Sequence, residues 1–169
     1  HTGTFKSTVG DSACSNCPAN TYSSHLTSVN SSVCQSCPVH STSVAGSSNA
    51  TQCQCNQGYT GADGGVCTLC SSGKFKSVLG SAVCDLCPAG TYNTGQGAIT
   101  KANACVTCPA NSRSPRGSSA MVDCKCMALY DGPGGGPCVN TLQGACDDDA
   151  CVSMPGGTIQ LGGGSISFE

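Results

Sequence analysis

The chain has few of the residues from which an ordinary hydrophobic core is built. It contains no Trp, 3 Phe and 4 Tyr, and aromatic residues make up 4% of its 169 residues. Leu, Ile, Val and Phe together number 25, too few for one shared apolar interior in a chain of this length. Composition therefore excludes a fold built around one large core.

Charge is scarce as well. Charged residues make up 9% of the chain, and the formal net charge is −2. The Lys and Arg residues are scattered and form no basic stripe, so we expect no binding to nucleic acid. The net charge is also too small for a disordered, self-repelling chain. No run of eighteen apolar residues occurs, so we expect no membrane span.

Sequence motifs for catalysis or ligand binding are missing too. His1, His25 and His40 have no matching Asp, Glu or Cys constellation, and no Gly-x-Ser-x-Gly motif is present. The run Asp147–Asp149 could attract calcium, but it lacks the spaced acidic pattern of a dedicated site, and a solvated acidic loop is favoured. We therefore predict a protein that is not an enzyme and has no catalytic residues, metal or cofactor.

Cysteine takes the place of the missing core. The chain has 17 Cys, a level typical of small disulfide-rich proteins in oxidising compartments. Closing a loop of about 15 residues contributes roughly 3 kcal/mol in the chain-entropy account. We therefore predict an extracellular or cell-surface location. Asn30 and Asn49 begin Asn-x-Ser/Thr sequons, which predicts covalent glycans at both.

A long internal repeat organises these cysteines. The stretch "GTFKSTVGDSAC" (3–14) aligns with "GKFKSVLGSAVC" (73–84) at an offset of 70, which grows to 71 after one inserted residue. Up to residue 138 every cysteine but Cys70 has a counterpart in the other copy, and Thr141 stands in the place equivalent to Cys70. The chain is therefore a tandem duplication.

We divide the chain into unit 1 (1–70), unit 2 (71–138) and a tail (139–169). Each unit contains loops of similar size, separated by one or two residues between flanking cysteines and rich in turn-forming Gly, Ser, Asn and Pro. No segment has a sustained helical period. We predict a small disulfide-rich protein, an elongated tandem array of short β-hairpins with little or no helix, in which each loop contacts mainly its neighbours.

Two stretches carry a resemblance to a known family. "CPANTYSS" (17–24) and "CPAGTYNT" (87–94), with their flanking Cys-x-x-Cys, resemble the ephrin-receptor-like cysteine-rich repeats. "CQCNQGYTGADGGVC" (53–67) is similar to the last loop of an EGF-like module. The resemblance covers residues 3–138 and implies extracellular modules of the kind found in receptors, matrix proteins and large surface proteins.

The Cys-x-x-Cys pairs could bind zinc, form a redox site or form structural disulfides. Zinc would require four thiolates to converge, and would leave Cys53, Cys55 and their copies without a role. A thioredoxin-like redox site would require a βαβ context, which is absent. Structural disulfides are therefore favoured.

The pairing of these cysteines has two candidate schemes. In the local scheme each loop closes on itself, giving Cys17–Cys34, Cys37–Cys53, Cys55–Cys67, Cys70–Cys84, Cys87–Cys105, Cys108–Cys124, Cys126–Cys138 and Cys146–Cys151. In the crossed scheme, which resembles receptor modules of the tumour-necrosis-factor type, Cys14 pairs with Cys34 and Cys17 pairs with Cys37. We favour the local scheme because it uses Cys70 to join the two units, although sequence alone does not decide.

The local scheme leaves Cys14 without a partner. Its copy Cys84 pairs with Cys70 of the preceding unit, so we expect Cys14 to pair with a cysteine in a segment ahead of His1 or in another molecule. A free thiol is the alternative.

The tail changes character after Cys151. Ile159 with Leu161, and Ile166 with Phe168, alternate with polar residues and predict two short strands. These strands could add to the sheet edge of a neighbour, or fold back as a hairpin on the last module.

Two functions fit these features. The first is an extracellular structural or adhesive glycoprotein, a repeating subunit of a surface filament or stalk such as a flagellar hair, which assembles head to tail with copies of itself or with an upstream segment. The second is a fragment of a receptor ectodomain that binds a protein ligand. Tyr22 and Tyr59 recur as Tyr92 and Tyr130, which favours packing inside each module over a binding hot spot.

Overall fold

The computed structural model describes residues 1–26 and 28–141, together with the backbone of 152–153, 158–161 and 164–167. In this part of the chain, eight two-stranded hairpins follow one another and a three-stranded sheet comes last. Each hairpin pairs two antiparallel strands of two residues. The predicted tandem array of short, disulfide-linked hairpins is confirmed.

The hairpins are numbered in chain order; four begin in each unit, and the second strand of hairpin 8 lies in the tail. Hairpins 1 to 4 of unit 1 pair Thr4–Phe5 with Ser15–Asn16, Thr21–Tyr22 with Gln35–Ser36, Ser41–Thr42 with Gln54–Cys55, and Tyr59–Thr60 with Thr68–Leu69. Hairpins 5 to 8 of unit 2 pair Lys74–Phe75 with Asp85–Leu86, Thr91–Tyr92 with Val106–Thr107, Ser112–Arg113 with Lys125–Cys126, and Tyr130–Asp131 with Val139–Asn140.

In residues 1–26 and 28–140, helical structure consists of single turns that lead into loop-closing cysteines. The turns are the α-helical turn Lys101–Ala104 and the 3₁₀ turns Ser31–Val33, Ala50–Gln52 and Met121–Asp123. Polar side chains start two of them: Asn30 Oδ1 accepts from Ser32 N–H, and Thr100 Oγ1 accepts from Asn103 N–H. The prediction of little helix is confirmed.

The Cys-x-x-Cys spacing has a direct structural meaning. The two residues between the cysteines form the second strand of a hairpin, as Gln35–Ser36 does between Cys34 and Cys37. The first cysteine bonds back to its own loop, and the second opens the following loop. The spacing therefore joins successive loops through a two-residue strand.

A left-handed residue stands just before the first strand of every hairpin. These residues are Gly3, Asn20, His40, Gly58, Gly73, Gly90, Asn111 and Leu129. Each accepts, through its carbonyl, a hydrogen bond from the residue after the second strand. Cys70 donates in this way to Gly58 at 2.8 Å, and Thr141 donates to Leu129 at 3.0 Å. Thr141 thus occupies the structural position of Cys70, as the alignment predicts.

Main-chain bonds hold neighbouring hairpins together. Phe5 forms a parallel bridge with Ser28 of the next loop, and Tyr92 forms one with Ser118. Beside the second bridge, Asn93 N–H donates to Ser118 O at 3.0 Å. Contacts of this kind between adjacent loops are those of a repeat array.

Sulfur fills the interior. Among the described residues, Ala104 is the one buried apolar residue that is not a cysteine. Large aliphatic side chains such as Val9 and Val66 lie at the surface. The chain exposes 10343 Å², whereas a compact protein of 16.7 kDa exposes about 7,600 Å². Cross-links and main-chain bonds replace the apolar core.

After hairpin 8, the described part of the tail contains a sheet of three antiparallel strands, Val152–Ser153, Thr158–Leu161 and Gly164–Ser167. Ile159 lies opposite Ile166, so the strands predicted from the alternating pattern pair with each other. The predicted Cys146–Cys151 bond, the acidic run beside it and Phe168 lie outside the described residues.

Candidate functional site at the unit junction

The disulfides of the structure are those of the local scheme. They are Cys17–Cys34, Cys37–Cys53, Cys55–Cys67, Cys70–Cys84, Cys87–Cys105, Cys108–Cys124 and Cys126–Cys138. The crossed scheme is not formed. Cys14 is an exposed free thiol. In the described ranges, no three His, Cys, Asp or Glu side chains form a group that could hold a metal ion.

A buried lysine lies where the two units meet. Lys76, in the loop of hairpin 5, is only 1% exposed. Its ammonium donates to the carbonyl oxygen of Tyr59 at 2.6 Å and to that of Gly80. Because Tyr59 belongs to unit 1 and Gly80 to unit 2, this one side chain ties the two units together.

A carboxylate faces the same junction. Asp63 belongs to the Cys55–Cys67 loop, and its Oδ1 is buried without a hydrogen-bond partner in the described structure. Burial lowers the pKa of Lys76, and the negative charge of Asp63 raises it in part. The two residues form a pair of opposite charges across the junction, and the loss of either would leave the other uncompensated.

Polar contacts surround this pair. Besides the Cys70–Cys84 disulfide and the Lys76–Tyr59 bond, five hydrogen bonds cross the junction: Gly58 N–H to Lys76 O at 2.9 Å, Gly80 N–H to Cys55 O at 2.9 Å, Gly97 N–H to Cys70 O at 2.8 Å, Gln57 Nε2 to Ser77 O at 2.8 Å, and Thr60 Oγ1 to Ala82 O at 3.1 Å. Main-chain carbonyls accept all of them. The Cys55–Cys67 loop therefore covers hairpin 5 with a specific set of donors and acceptors.

The comparison with known families falls on this same region. Residues 58–103 match the family model described as tyrosine-protein kinase ephrin type A/B receptor-like. This span is therefore similar to an ephrin-receptor-like module. The chain matches no curated protein. The module begins at Gly58, crosses the junction and includes Lys76 and the Cys70–Cys84 bond.

The ephrin-receptor-like module and the disulfides together indicate an extracellular receptor-type domain, and they fit an extracellular or secreted location. Within the described ranges, no helix is long and apolar enough to cross a bilayer.

Hairpin 1 of unit 1 is the counterpart of hairpin 5, and no loop in the described part of the chain covers it in this way. Lys6 is only half-buried, and its ammonium donates to Gly10 O, as that of Lys76 does to Gly80 O. Beside it, Phe5, Lys6, Val9 and Cys14 line an open cavity of about 410 Å³. The same hairpin thus occurs once covered and once open.

The aromatic residues take part in packing. Tyr22, Tyr59, Tyr92 and Tyr130 are all half-buried, as their recurrence predicts. His40 is exposed, and its ring stacks on that of Tyr59. The sequence shows no pattern that would reveal this contact, because the two residues lie in different loops.

Both predicted glycosylation sites are exposed. Asn30 and Asn49 each precede a 3₁₀ turn that ends at a cysteine. Thr51 Oγ1 donates to Asn49 Oδ1 at 2.5 Å, and Ser32 Oγ donates to Asn30 Oδ1. The sequons are therefore ordered on the surface of unit 1, and glycans there remain a prediction.

The burial of Lys76 is not evident from its sequence neighbourhood, since Lys74 and Lys76 look like ordinary solvated charges. One signal was present: a lysine occurs at the same place in both copies, Lys6 and Lys76, of a chain with few charges.

Proposed function

We propose that the chain is an extracellular, non-enzymatic structural segment that acts as a stiff spacer or stalk in a cell-surface assembly. The observation that carries this proposal is the junction, where a disulfide, a pair of opposite charges with a buried lysine, and six hydrogen bonds join consecutive units. A joint of this kind resists bending, because any opening would expose Lys76 and leave several polar groups unpaired.

The other joints support the same function. Each neighbouring pair of hairpins shares main-chain hydrogen bonds, and each closed loop has its own disulfide. Repeat arrays whose units contact their neighbours form extended bodies. Length and stiffness are what a spacer requires, and neither depends on a catalytic group.

Within this proposal, the chain is a subunit or segment of a surface filament or stalk that assembles head to tail. The free Cys14 at one end and the paired strands of the tail at the other provide unlike surfaces for a heterologous contact. Glycans at Asn30 and Asn49 would cover part of unit 1 and favour contact through its ends.

The receptor alternative has one observation in its favour, which is the description of the matched family as receptor-like. In this alternative the chain is a fragment of an ectodomain that binds a protein ligand along its length. Because the tyrosines are half-buried, the apolar surface available to such a ligand consists of exposed aliphatic residues such as Val39 and Val44.

Small-angle X-ray scattering of the secreted chain tests the extended shape. A compact chain of this length has a radius of gyration of about 15 Å, and the spacer proposal requires a clearly larger value. A value near that of a compact chain would overturn it. Negative-stain images of concentrated material then separate the two functions, since uniform fibres support the filament and dispersed short rods support the receptor fragment.

A further inference from the structure

Hairpins 1 and 5 are two copies of one element with different surroundings. Phe5, Lys6, Gly10 and Cys14 of hairpin 1 correspond to Phe75, Lys76, Gly80 and Cys84 of hairpin 5. In both, the lysine ammonium donates to the carbonyl of the glycine four residues later. The local conformation is therefore shared, and any difference between the two comes from what covers them.

On hairpin 5 the covering loop provides partners for three groups: the Lys76 ammonium, Gly80 N–H and the sulfur of Cys84. The carbonyl of Tyr59 accepts from the Lys76 ammonium, and the carbonyl of Cys55 accepts from Gly80 N–H. The sulfur of Cys70 bonds to Cys84. All three belong to one stretch of unit 1, residues 54–70.

On hairpin 1 the same three groups are open. Lys6 is half-buried, and Cys14 is free and exposed. Gly10 N–H meets no acceptor in the described part of the chain. A Cβ added at Gly10 would meet nothing within 4 Å, whereas one added at Gly80 would approach Gln54 Nε2 at 3.5 Å.

The apolar side chains show the same contrast. Val9 is fully exposed, while its counterpart Leu79 is 48% exposed. Val9 and Val29 line the cavity of about 410 Å³ that also contains Lys6 and Cys14. A cation, a thiol, an unmet N–H donor and an apolar patch thus occupy one face.

We infer that hairpin 1 is a docking face for a loop of the Cys55–Cys70 type, which covers it as residues 54–70 cover hairpin 5. Such a loop presents a main-chain carbonyl and a carboxylate to Lys6, and a cysteine to Cys14. The bond forms when the two thiols lose two protons and two electrons to a disulfide oxidant, which is itself reduced to two thiols.

The last loop of a second copy does not fit this description. It departs from residues 54–70 at the contact positions, with Ala128 for Gln57, Leu129 for Gly58, Asp131 for Thr60, Gly134 for Asp63 and Thr141 for Cys70. It therefore offers neither the carboxylate nor the sulfur. The inference goes beyond the spacer function, since it holds for a stalk and for a receptor fragment alike.

The test uses the full chain with a second copy of residues 54–70 placed directly before His1. The copied Cys70 then stands 14 residues ahead of Cys14, the separation that Cys70 has from Cys84. Peptide mapping without reduction should find Cys14 bonded to the copied cysteine. The rate at which an amine-reactive ester modifies Lys6 should fall about tenfold or more, as for a group that reacts only after local opening.

A matched control carries residues 125–141 before His1, a loop of the same length that ends in Thr141. There Cys14 should remain free, and Lys6 should react as in the unextended chain. A second control keeps residues 54–70 but has Thr at the copied Cys70. It should leave Cys14 free while Lys6 stays partly protected, which separates loop docking from the covalent bond.

Three results would overturn the inference. The first is a free Cys14 in the chain that carries the 54–70 extension. The second is equal protection of Lys6 by the 54–70 and 125–141 extensions, which would mean that docking does not depend on the sequence of the loop. The third is a covalent dimer of the unextended chain through Cys14, which would make a second copy the partner. The first two results do not bear on the radius of gyration of the unextended chain, which tests the spacer function.

Discussion

The imidazole of His40 stacks on the ring of Tyr59, with ring centroids 4.2 Å apart and planes inclined by 16°. His40 precedes hairpin 3 in the left-handed conformation, and its carbonyl accepts a hydrogen bond from Asn56 N–H at 2.9 Å. Tyr59 begins hairpin 4. The stack therefore joins two consecutive hairpins beside the unit junction.

Replacing His40 by Asn should destabilise this joint by roughly 0.5–1.5 kcal/mol, the usual contribution of a ring pair. Asn tolerates the left-handed conformation, as Asn111 does at the equivalent place in unit 2, so the change removes the ring and keeps the backbone. Hydrogen exchange at the Asn56 amide measures the effect. The control is His25→Asn, and equal exchange in the two variants would show that the stack contributes nothing.

Leu129 is the clearest strained residue of the array. It has φ of 70°, a conformation that favours glycine, and its counterpart Gly58 has φ of 78°. We predict that Leu129→Gly stabilises hairpin 8 by about 1 kcal/mol, because the strain of a left-handed Leu exceeds the entropy that glycine adds to the unfolded chain. The Thr141 amide donates to Leu129 O, so slower hydrogen exchange at this amide in the variant would measure the gain in stability of hairpin 8.

The reverse substitution, Gly58→Leu at the equivalent position of unit 1, is the comparison for Leu129→Gly. A Cβ at Gly58 would lie 2.3 Å from the carbonyl oxygen of Gly97 in unit 2, so Gly58→Leu must push the two units apart. We expect a loss of more than about 2 kcal/mol, from overpacking and backbone strain together. A Gly58→Leu protein with unchanged thermal stability would contradict this account of the junction.

Lys76→Met should weaken the junction by roughly 1–3 kcal/mol, since it leaves the carbonyl of Tyr59 unpaired and Asp63 without a nearby positive charge. Lys6→Met should change stability by no more than about 0.5 kcal/mol, because Lys6 is partly exposed. Exchange of the Gly80 amide and thermal unfolding report on both variants. Equal losses of stability in the two variants would show that Lys76 contributes no more to the junction than Lys6 does to hairpin 1.

The lowered pKa of Lys76 also gives the stability of the chain a pH dependence. The folded state binds the lysine proton more weakly than the unfolded state does. This contribution to the free energy of unfolding therefore rises as the pH increases from the lowered folded pKa to the ordinary lysine value. Denaturation in a Cys14→Ser background, which prevents thiol exchange, should show a rise that Lys76→Met abolishes. If the Cys14→Ser chain shows a rise of equal size with and without Lys76→Met, the pH dependence comes from another titratable group.

Glycans at the two sequons should appear as mass beyond the 16.7 kDa of the polypeptide when the chain is secreted from a eukaryotic cell. Ser32→Ala and Thr51→Val should each remove one glycan while they keep the Asn side chain that starts the 3₁₀ turn. Electrophoresis before and after enzymatic removal of N-glycans measures this. A secreted chain with no excess mass would show that neither site is used.

The cysteine spacing allowed much of the fold to be predicted from the sequence. Loops of 12 to 18 residues separate the bonded cysteines, and short loops close on themselves at low entropic cost. The alignment of the two units identified Cys70 as the residue without a copy, and Thr141 stands at its place in the structure. Period-two patterns were enough to predict that the tail strands Thr158–Leu161 and Gly164–Ser167 exist.

The candidate site could not be predicted in this way. Lys6 and Lys76 have nearly the same neighbours in sequence, yet one is half-buried and the other is 1% exposed. No local pattern separates them, because the difference comes from a loop that begins about twenty residues earlier in the chain. The stacking of His40 on Tyr59 depends in the same way on how two loops meet.

The sequence alone determined the array of short disulfide-linked hairpins, because disulfide spacing and turn residues act over short stretches of chain. Only the tertiary structure decided which lysine is buried, which carboxylate faces it and which hairpin face stays open. Burial of a charge depends on the groups that surround it in space, and those groups come from separate loops whose contact the order of residues does not reveal.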